Sequence, residues 1–383
     1  MANVLDLRRR IRSVKNTRQI TKAMKMVAAA KLRRAQERMT NARPYAVALA
    51  SVLASMRRRV EAVDPSTSEL RSPLLERREE KNILLVIVSG DKGFAGAFST
   101  NIIRTATQFI RDTQQSDRNK RIDLEALGRK GRDFFRRNYA TAQFSAVQQD
   151  TEAAREGFVD THAAPRPNRN RREDVEFLAN DDAAKIVLDR LRFEDVRVVA
   201  EDIVERYAAA EIDAVYLAYN EFKSVLSQRV VVERILPLIS DKEGSLEAPD
   251  VKASAEPSDE ERQRMAEAAA SAGLALRDEE QEAVRAQYED ESKRFGTAEV
   301  DYLYDQPAAD VYASVLPRYV SALLYYASLE SIASEHAARM TAMDAATSNA
   351  SDMIDSLTLT MNRARQAAIT KEIIEIVSGA AAV

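Results

Sequence analysis

Between Ala308 and Ser378 the chain contains no glycine, and Pro317 is its only proline. Ala, Leu, Met, Glu and Arg dominate this run, so it predicts one very long helix within Pro307 to Val383. Met340, Met343, Ala350, Ile354, Leu357, Met361, Ala364 and Ala368 recur at the alternating three-and-four spacing of a coiled-coil seam, with Thr347 as its polar interruption. At about 1.5 Å per residue, some sixty helical residues span roughly 90 Å, far more than a compact domain needs. Such a helix has to lie along another long helix, inside a partner, or both.

Residues 1–60 offer the matching strand. A strict heptad reading runs through Val4, Leu7, Ile11, Val14, Arg18, Thr21, Lys25, Ala28, Leu32, Ala35, Met39 and Ala42, and nine of these twelve are apolar or small. Pro44 is expected to bend or locally interrupt this helix, because proline lacks the backbone donor and crowds the preceding turn. The first sixty residues carry sixteen Lys or Arg against only Asp6 and Glu37. Three readings fit that charge: a solvated face, an acidic partner around the helix, or nucleic acid. The last is weakened because Tyr45 is the only aromatic residue available for base stacking.

Residues 61–80 are polar, contain Pro65 and Pro73, and read as a connector. The pattern then changes. Ile83–Val88 is a short apolar, β-branched run, the signature of a strand buried on both faces. Strands are also expected at 122–127, 214–219 and 229–236, and helices at 101–111, 132–138 and 194–210. Strands alternating with helices imply a small, mostly parallel sheet over 81–239, between the two long helices. The fold class expected is therefore α/β, a coiled coil of the terminal helices plus this sheet domain, with the last helix in 300–383.

Two stretches interrupt the domain. Residues 145–192, with Pro165 and Pro167 among Arg and Asn, read as a loop-like or disordered insertion. Residues 240–299 hold 17 acidic against 8 basic residues and read as an acidic insertion of polar, peripheral helices.

No chemistry stands out. The turn Ser89–Gly96 follows a strand and precedes a helix, but it has neither the Gly-Lys-Ser/Thr ending of a phosphate loop nor Gly-x-Gly-x-x-Gly. It reads as tight strand-to-helix packing rather than a nucleotide site. His162 and His336 are the only histidines and make no metal or nucleophile arrangement; His336, near the seam, reads as a packing residue. The absence of cysteine excludes disulfides and thiol chemistry. No apolar run approaches the length of a membrane span, and the basic N-terminus lacks a secretory signal's apolar core. No catalytic residue, cofactor or metal is expected. A long helix pair carrying a small sheet suits the transmission of force better than the making of bonds.

Several motifs then resemble one family. Ile11–Lys31 (IRSVKNTRQITKAMKMVAAAK), Ser334–Thr347 (SEHAARMTAMDAAT) and Asn362–Ala380 (NRARQAAITKEIIEIVSGA) closely resemble the γ subunit of rotary ATP synthases. Val88–Gly96 and Asp301–Tyr304 resemble it too, so the likeness covers most of the chain outside the two insertions. The resemblance implies that the terminal helices form an antiparallel coiled coil, a shaft inside a hexagon of α and β subunits. The sheet domain would be its foot, with the ε subunit, on the membrane c-ring at the cytoplasmic face of the bacterial inner membrane. Proton flow would turn the ring and the shaft, driving each β subunit through different nucleotide affinities. The alternative from another class is a free-standing coiled-coil scaffold or nucleic-acid-binding protein.

Carried over residue by residue, the resemblance places torque-bearing contacts at Lys22, Met24, Lys25, Arg363, Arg365, Gln366, Thr370, Glu372 and Glu375. Arg365 and Gln366 are the candidates for hydrogen bonds to a β-subunit loop. Glu372 and Glu375 equally suit pairing with Lys22 or Lys25 within the shaft. Tyr302 and Tyr304 would belong to the foot, facing ε and the c-ring. The two insertions depart from the family pattern, and the acidic one is expected to contact ε or the stator and restrain reverse rotation. Chloroplast relatives carry a dithiol switch after the corresponding last strand; with no cysteine, this chain cannot.

Overall fold

The computed structural model describes residues 4–63, 73–76, 78–145, 168–170, 174–225, 227–237 and 308–380. Helix α1 (Val4–Val63) leads through a single 3-10 turn at Pro73–Leu75 into strand β1 (Asn82–Val88). Helix α2 (Phe98–Ser116), strand β2 (Arg121–Leu127), helix α3 (Arg129–Asn138) and short strands β3 (Ala140–Thr141) and β4 (Gln143–Ser145) follow. Next come strands β5 (Asn168–Asn170) and β6 (Val175–Phe177), helix α4 (Asp181–Lys185), a 3-10 turn at Leu188–Arg190 and helix α5 (Phe193–Ala208). Strands β7 (Ala214–Phe222) and β8 (Gln228–Leu236) complete the sheet domain, and helix α6 (Ala308–Ala380) closes the described chain.

Helices α1 and α6 pack side by side and antiparallel. Their register is fixed where Lys25 Nζ meets Asp344 Oδ1 at 2.7 Å and, one turn away, the Thr21 and Thr347 hydroxyls meet at 2.8 Å. Every heptad position expected on α1 is buried or half-buried, with Leu7, Ile11, Ala28, Leu32, Ala35 and Met39 in the core. On α6, Met340, Met343, Ala350 and Ile354 are buried and Leu357, Met361 and Ala364 half-buried, but Ala368 is exposed. The antiparallel register explains the difference. The start of α1 stands beside about Arg365, so later residues of α6 have no helix to face.

Pro44 does not interrupt α1, which runs continuously through it. Packing continues on both sides of the proline, with Met39 buried before it and Leu53 after it. That tertiary contact outweighs the roughly 3 kcal/mol that an interior proline costs.

The six-stranded sheet has the order β3-β6-β2-β1-β7-β8, all neighbours parallel except β7 with β8. Strand β1 is central, and its six apolar residues from Ile83 to Val88 are all buried because both faces are covered. Ile83, Leu85 and Ile87 face α2 and α3 together with Ile122, Leu124 and Tyr216. Leu84, Val86 and Val88 face α5 and the helix pair together with Val215, Leu217, Ile203 and Leu324. The shaft and one face of the sheet therefore share a single core.

The expected loop-like insertion at 145–192 is corrected in part. Asn168–Asn170, inside the Pro/Arg/Asn-rich patch, pairs antiparallel with β4, and Val175–Phe177 pairs with both β2 and β3 in the main sheet. Ile186, Leu188 and Leu191 are buried in the core shared with the shaft. Burial of these few apolar side chains overrides a polar local composition. Residues 146–167, His162 included, and 171–173 lie outside the described residues. So do the acidic stretch 240–299 and Tyr302 and Tyr304.

Candidate functional site

The exposed surface of the shaft is strongly cationic. Arg8, Arg9, Arg10, Arg12, Lys15 and Lys22 are all exposed along α1. Where α1 meets α6, a shallow groove of about 1050 Å³ is lined by Arg18, Lys22, Lys25 and Arg33, with Asp344 as its acidic member. Met24 and Lys25 are half-buried at the seam, and Lys25 is engaged by Asp344. Arg363, Arg365, Gln366, Thr370 and Glu372 are exposed on the far part of α6, where it leaves its partner helix. Ile369, Ile373, Ile374 and Ile376 are exposed there as well, making an apolar tip.

The structure overturns pairing of Glu372 or Glu375 with Lys22 or Lys25. In the antiparallel register those lysines stand beside residues near Asp344 and Thr347. Glu372 lies a further 25 residues along α6, roughly 37 Å away. The expected contact residues thus fall into two groups: a mid-shaft belt at Lys22, Met24 and Lys25, and an outer group from Arg363 to Glu375.

Less than two turns along α1 from that belt, a cluster of partly buried charge joins the helices to the sheet domain. Asp189, in the 3-10 turn before α5, is the hub. Its Oδ2 accepts from Lys31 Nζ of α1 at 2.7 Å and also from Lys92 Nζ of the glycine turn. Its Oδ1 lies 3.4 Å from His336 Nε2 of α6. Burial alone would raise the Asp189 carboxyl, but the hydrogen bonds from Lys31 and Lys92 hold it well below the usual carboxylate range. Arg339 of α6 donates to the carbonyl of Gly93 at 3.3 Å, to Glu335, and to His336 Nδ1 at 2.9 Å. Because a guanidinium only donates, Nδ1 is the accepting nitrogen and Nε2 carries the proton that faces Asp189. Burial, then the Arg339 charge, lowers the His336 pKa to about 4, consistent with that neutral ring.

The glycine turn is built for this joint. A Cβ on Gly90 would sit 3.1 Å from the Glu335 carboxyl carbon and 3.2 Å from Ser99 Oγ, so the turn lies directly against α6. Asp91 accepts from the backbone N–H groups of Arg129 at 3.0 Å and Leu188 at 2.8 Å. Asp91 thus caps the N-terminus of α3 and ties it to the 3-10 turn before α5. Ser331 Oγ donates to the Val88 carbonyl at 3.2 Å and Ser334 Oγ to that of Asn220 at 3.3 Å, tying α6 to the ends of β1 and β7.

Sequence reasoning placed His336 near the seam but missed the hub. Lys31, Lys92, Asp189, Glu335 and Arg339 come from four separated segments, and only the glycine turn carried a local signal. Among the described residues no group of His, Cys, Asp or Glu is placed to hold a metal ion. None of the described helices is long and apolar enough to cross a membrane.

Together these features define a shaft-and-foot protein: an antiparallel two-helix rod, cationic along α1 and joined by partly buried charge to a small sheet domain. The ATP synthase family model matches residues 3–383. The ATP synthase gamma chain of Solibacter usitatus is 43% identical over 100% of this chain and 99% of its own length. That of Pelotomaculum thermopropionicum is 37% identical over the same shares. Central stalk and c-ring coordinates of the Tetrahymena thermophila mitochondrial ATP synthase are similar at 21% identity, over 85% of this chain and 99% of that one, with a TM-score of 0.45. The chain belongs to the γ-chain family of ATP synthases, as a non-catalytic subunit of a membrane-associated complex. These relatives match end to end, so the extra length of the two insertions is shared with them rather than peculiar to this chain.

Proposed function

We propose that the chain is the central rotor shaft of a proton-translocating ATP synthase, turning with the c-ring and driving an α/β hexamer through its nucleotide states. The observation that carries this is the rod itself: two antiparallel helices sharing one core with a sheet domain. A rotor element acts by making different contacts with each of several partner states, which needs a stiff, asymmetric body and no active site.

The foot sits with the ε subunit on the c-ring, at the cytoplasmic face of the bacterial inner membrane, and Tyr302 and Tyr304 belong to that contact. Lys22, Met24 and Lys25 form one contact belt with the hexamer. Arg363, Arg365, Gln366, Thr370, Glu372 and Glu375 form the outer one, with Arg365 and Gln366 donating to a β-subunit loop. The cationic shaft supports an acidic partner surface around it, and the exposed isoleucines support an apolar sleeve around its tip.

The test is reconstitution of the complex with a probe fixed to the foot. Stepwise rotation during ATP hydrolysis is expected, and hydrolysis without rotation would refute the shaft reading. R365A and Q366A are expected to lower turnover of the assembled complex while leaving its assembly intact.

A further inference from the structure

We propose that Asp189 is a positioning residue for rotary coupling: its carboxylate fixes the angular setting of the foot on the shaft, so that torque passes between them without slip. The inference rests on the rotor-shaft reading and adds the place where load crosses from one part to the other. Most of the contact between shaft and sheet domain is apolar, through residues such as Leu324, Leu217 and Val86. Apolar contact is non-directional and resists separation better than it resists sliding. A carboxylate held by several directed donors resists both, because any rotation of the foot lengthens its hydrogen bonds.

Asp189 is the point at which three other segments converge. Lys31 reaches it from α1, Lys92 from the glycine turn and His336 from α6, while Asp189 itself stands on the turn that leads into α5. One side chain thus links both shaft helices to two parts of the foot. The other charges of the cluster do not replace it. Glu335 is engaged by Arg339, and Asp91 is engaged by backbone donors of the foot alone. Neutralising Asp189 leaves the Lys31 and Lys92 ammonium groups facing each other with no carboxylate between them.

The test is D189N in the whole complex, reconstituted into proteoliposomes, with proton pumping per ATP hydrolysed measured against increasing opposing gradients. Hydrolysis by the unloaded, membrane-detached complex is expected to match wild type. Pumping per ATP is expected to fall, with the deficit growing as the opposing gradient grows. In an otherwise cysteine-free complex, K31C/D189C is expected to pump poorly until a bifunctional thiol reagent bridges the two positions, and then to recover. A role confined to folding would produce neither the load dependence nor the recovery.

Should D189N fail to assemble, K31Q, which removes one tether from a half-exposed lysine, carries the same measurement. Wild-type pumping per ATP at full opposing gradient in the assembled variant, or no recovery on bridging, overturns the proposal. Failure of the wild-type complex to rotate would instead overturn the shaft reading and leave the two outcomes distinct.

Discussion

Three buried titratable groups pull the acid response of this protein in opposite directions. His336 has its pKa lowered to about 4 by burial and by Arg339, with Asp189, Lys31 and Lys92 also facing it. As pH falls below about 6.5 the unfolded chain takes up this proton first, so stability present above that pH is lost on the way down to about 4. The full span is worth up to about 3 kcal/mol. Glu125 and Glu330 do the reverse, because burial raises each to about 7. Their contribution is present below about 4.5 and lost as pH rises through 7. A wild-type pH profile therefore mixes opposing effects, and the separate contributions emerge only by difference. H336Q is expected to raise the denaturant midpoint at pH 4.5 relative to that at pH 7.5, compared with the same pair of midpoints in wild type. Glu125 Oε1 accepts from Asn180 Nδ2 at 2.8 Å, while Oε2 has no hydrogen-bond partner among the described residues. E125Q keeps the one bond and removes a buried charge that also faces Asp123, Asp202 and Arg206, so at pH 8 it is expected to be the more stable protein by about 2 kcal/mol. Below pH 4.5 that advantage should vanish. Backbone geometry sets a different limit at Gly128, whose φ is +96° and where a Cβ would lie 2.1 Å from the Ser89 carbonyl oxygen. G128A is expected to cost about 3 kcal/mol or more, read as a lowered midpoint.

At the scale of elements, the helix pair is stabilised by a narrow apolar seam. Leu32 is fully buried near its centre, beside small residues of α6 such as Ala333 and Ala337. L32A is expected to destabilise by about 3 kcal/mol, because rigid helix backbones cannot collapse into the space left behind. The converse is A337L, which at a position with no exposure is expected to cost about 2 kcal/mol by forcing the helices apart. Both are checked by chemical denaturation. The seam was legible because a coiled coil writes its contacts into one heptad, residue by residue, from Val4 to Ala42. Strand β1 was legible for a related reason: coverage on both faces turns Ile83–Val88 into an unbroken apolar run. Strand β6 was not, since three residues, Val175, Glu176 and Phe177, are too few to show a period and stand close to a polar run. The Asp189 hub left no periodic trace, because its members are joined by folding across more than three hundred residues, from Lys31 to Arg339. Local pattern reveals what a single element buries and says little about polar contacts assembled from several.

For the whole molecule the decisive quantity is the mismatch between the two helices. Helix α6 has 73 residues and α1 has 60, so they span roughly 110 Å and 90 Å. The excess lies at the C-terminal end of α6, which the register leaves unaccompanied beyond about Arg365. Over that last part Ile369, Ile373, Ile374 and Ile376 are between 49% and 70% exposed, and none of them adds to the seam or the sheet core. Removing residues 372–383 should therefore leave the denaturation midpoint of the purified chain nearly unchanged, because Ile373, Ile374 and Ile376 lie exposed and bury little area within it. Apolar area exposed on a single helix end acquires value only when something else covers it, at roughly 25 cal/mol for each Å² removed from water. In the assembled complex the same deletion is expected to weaken retention of the shaft by the α/β hexamer and to lower the load against which it pumps. A midpoint that falls on truncation would mean that the tip folds back on the chain, and unaltered retention and pumping would mean that the shaft is gripped only along its mid-section belt.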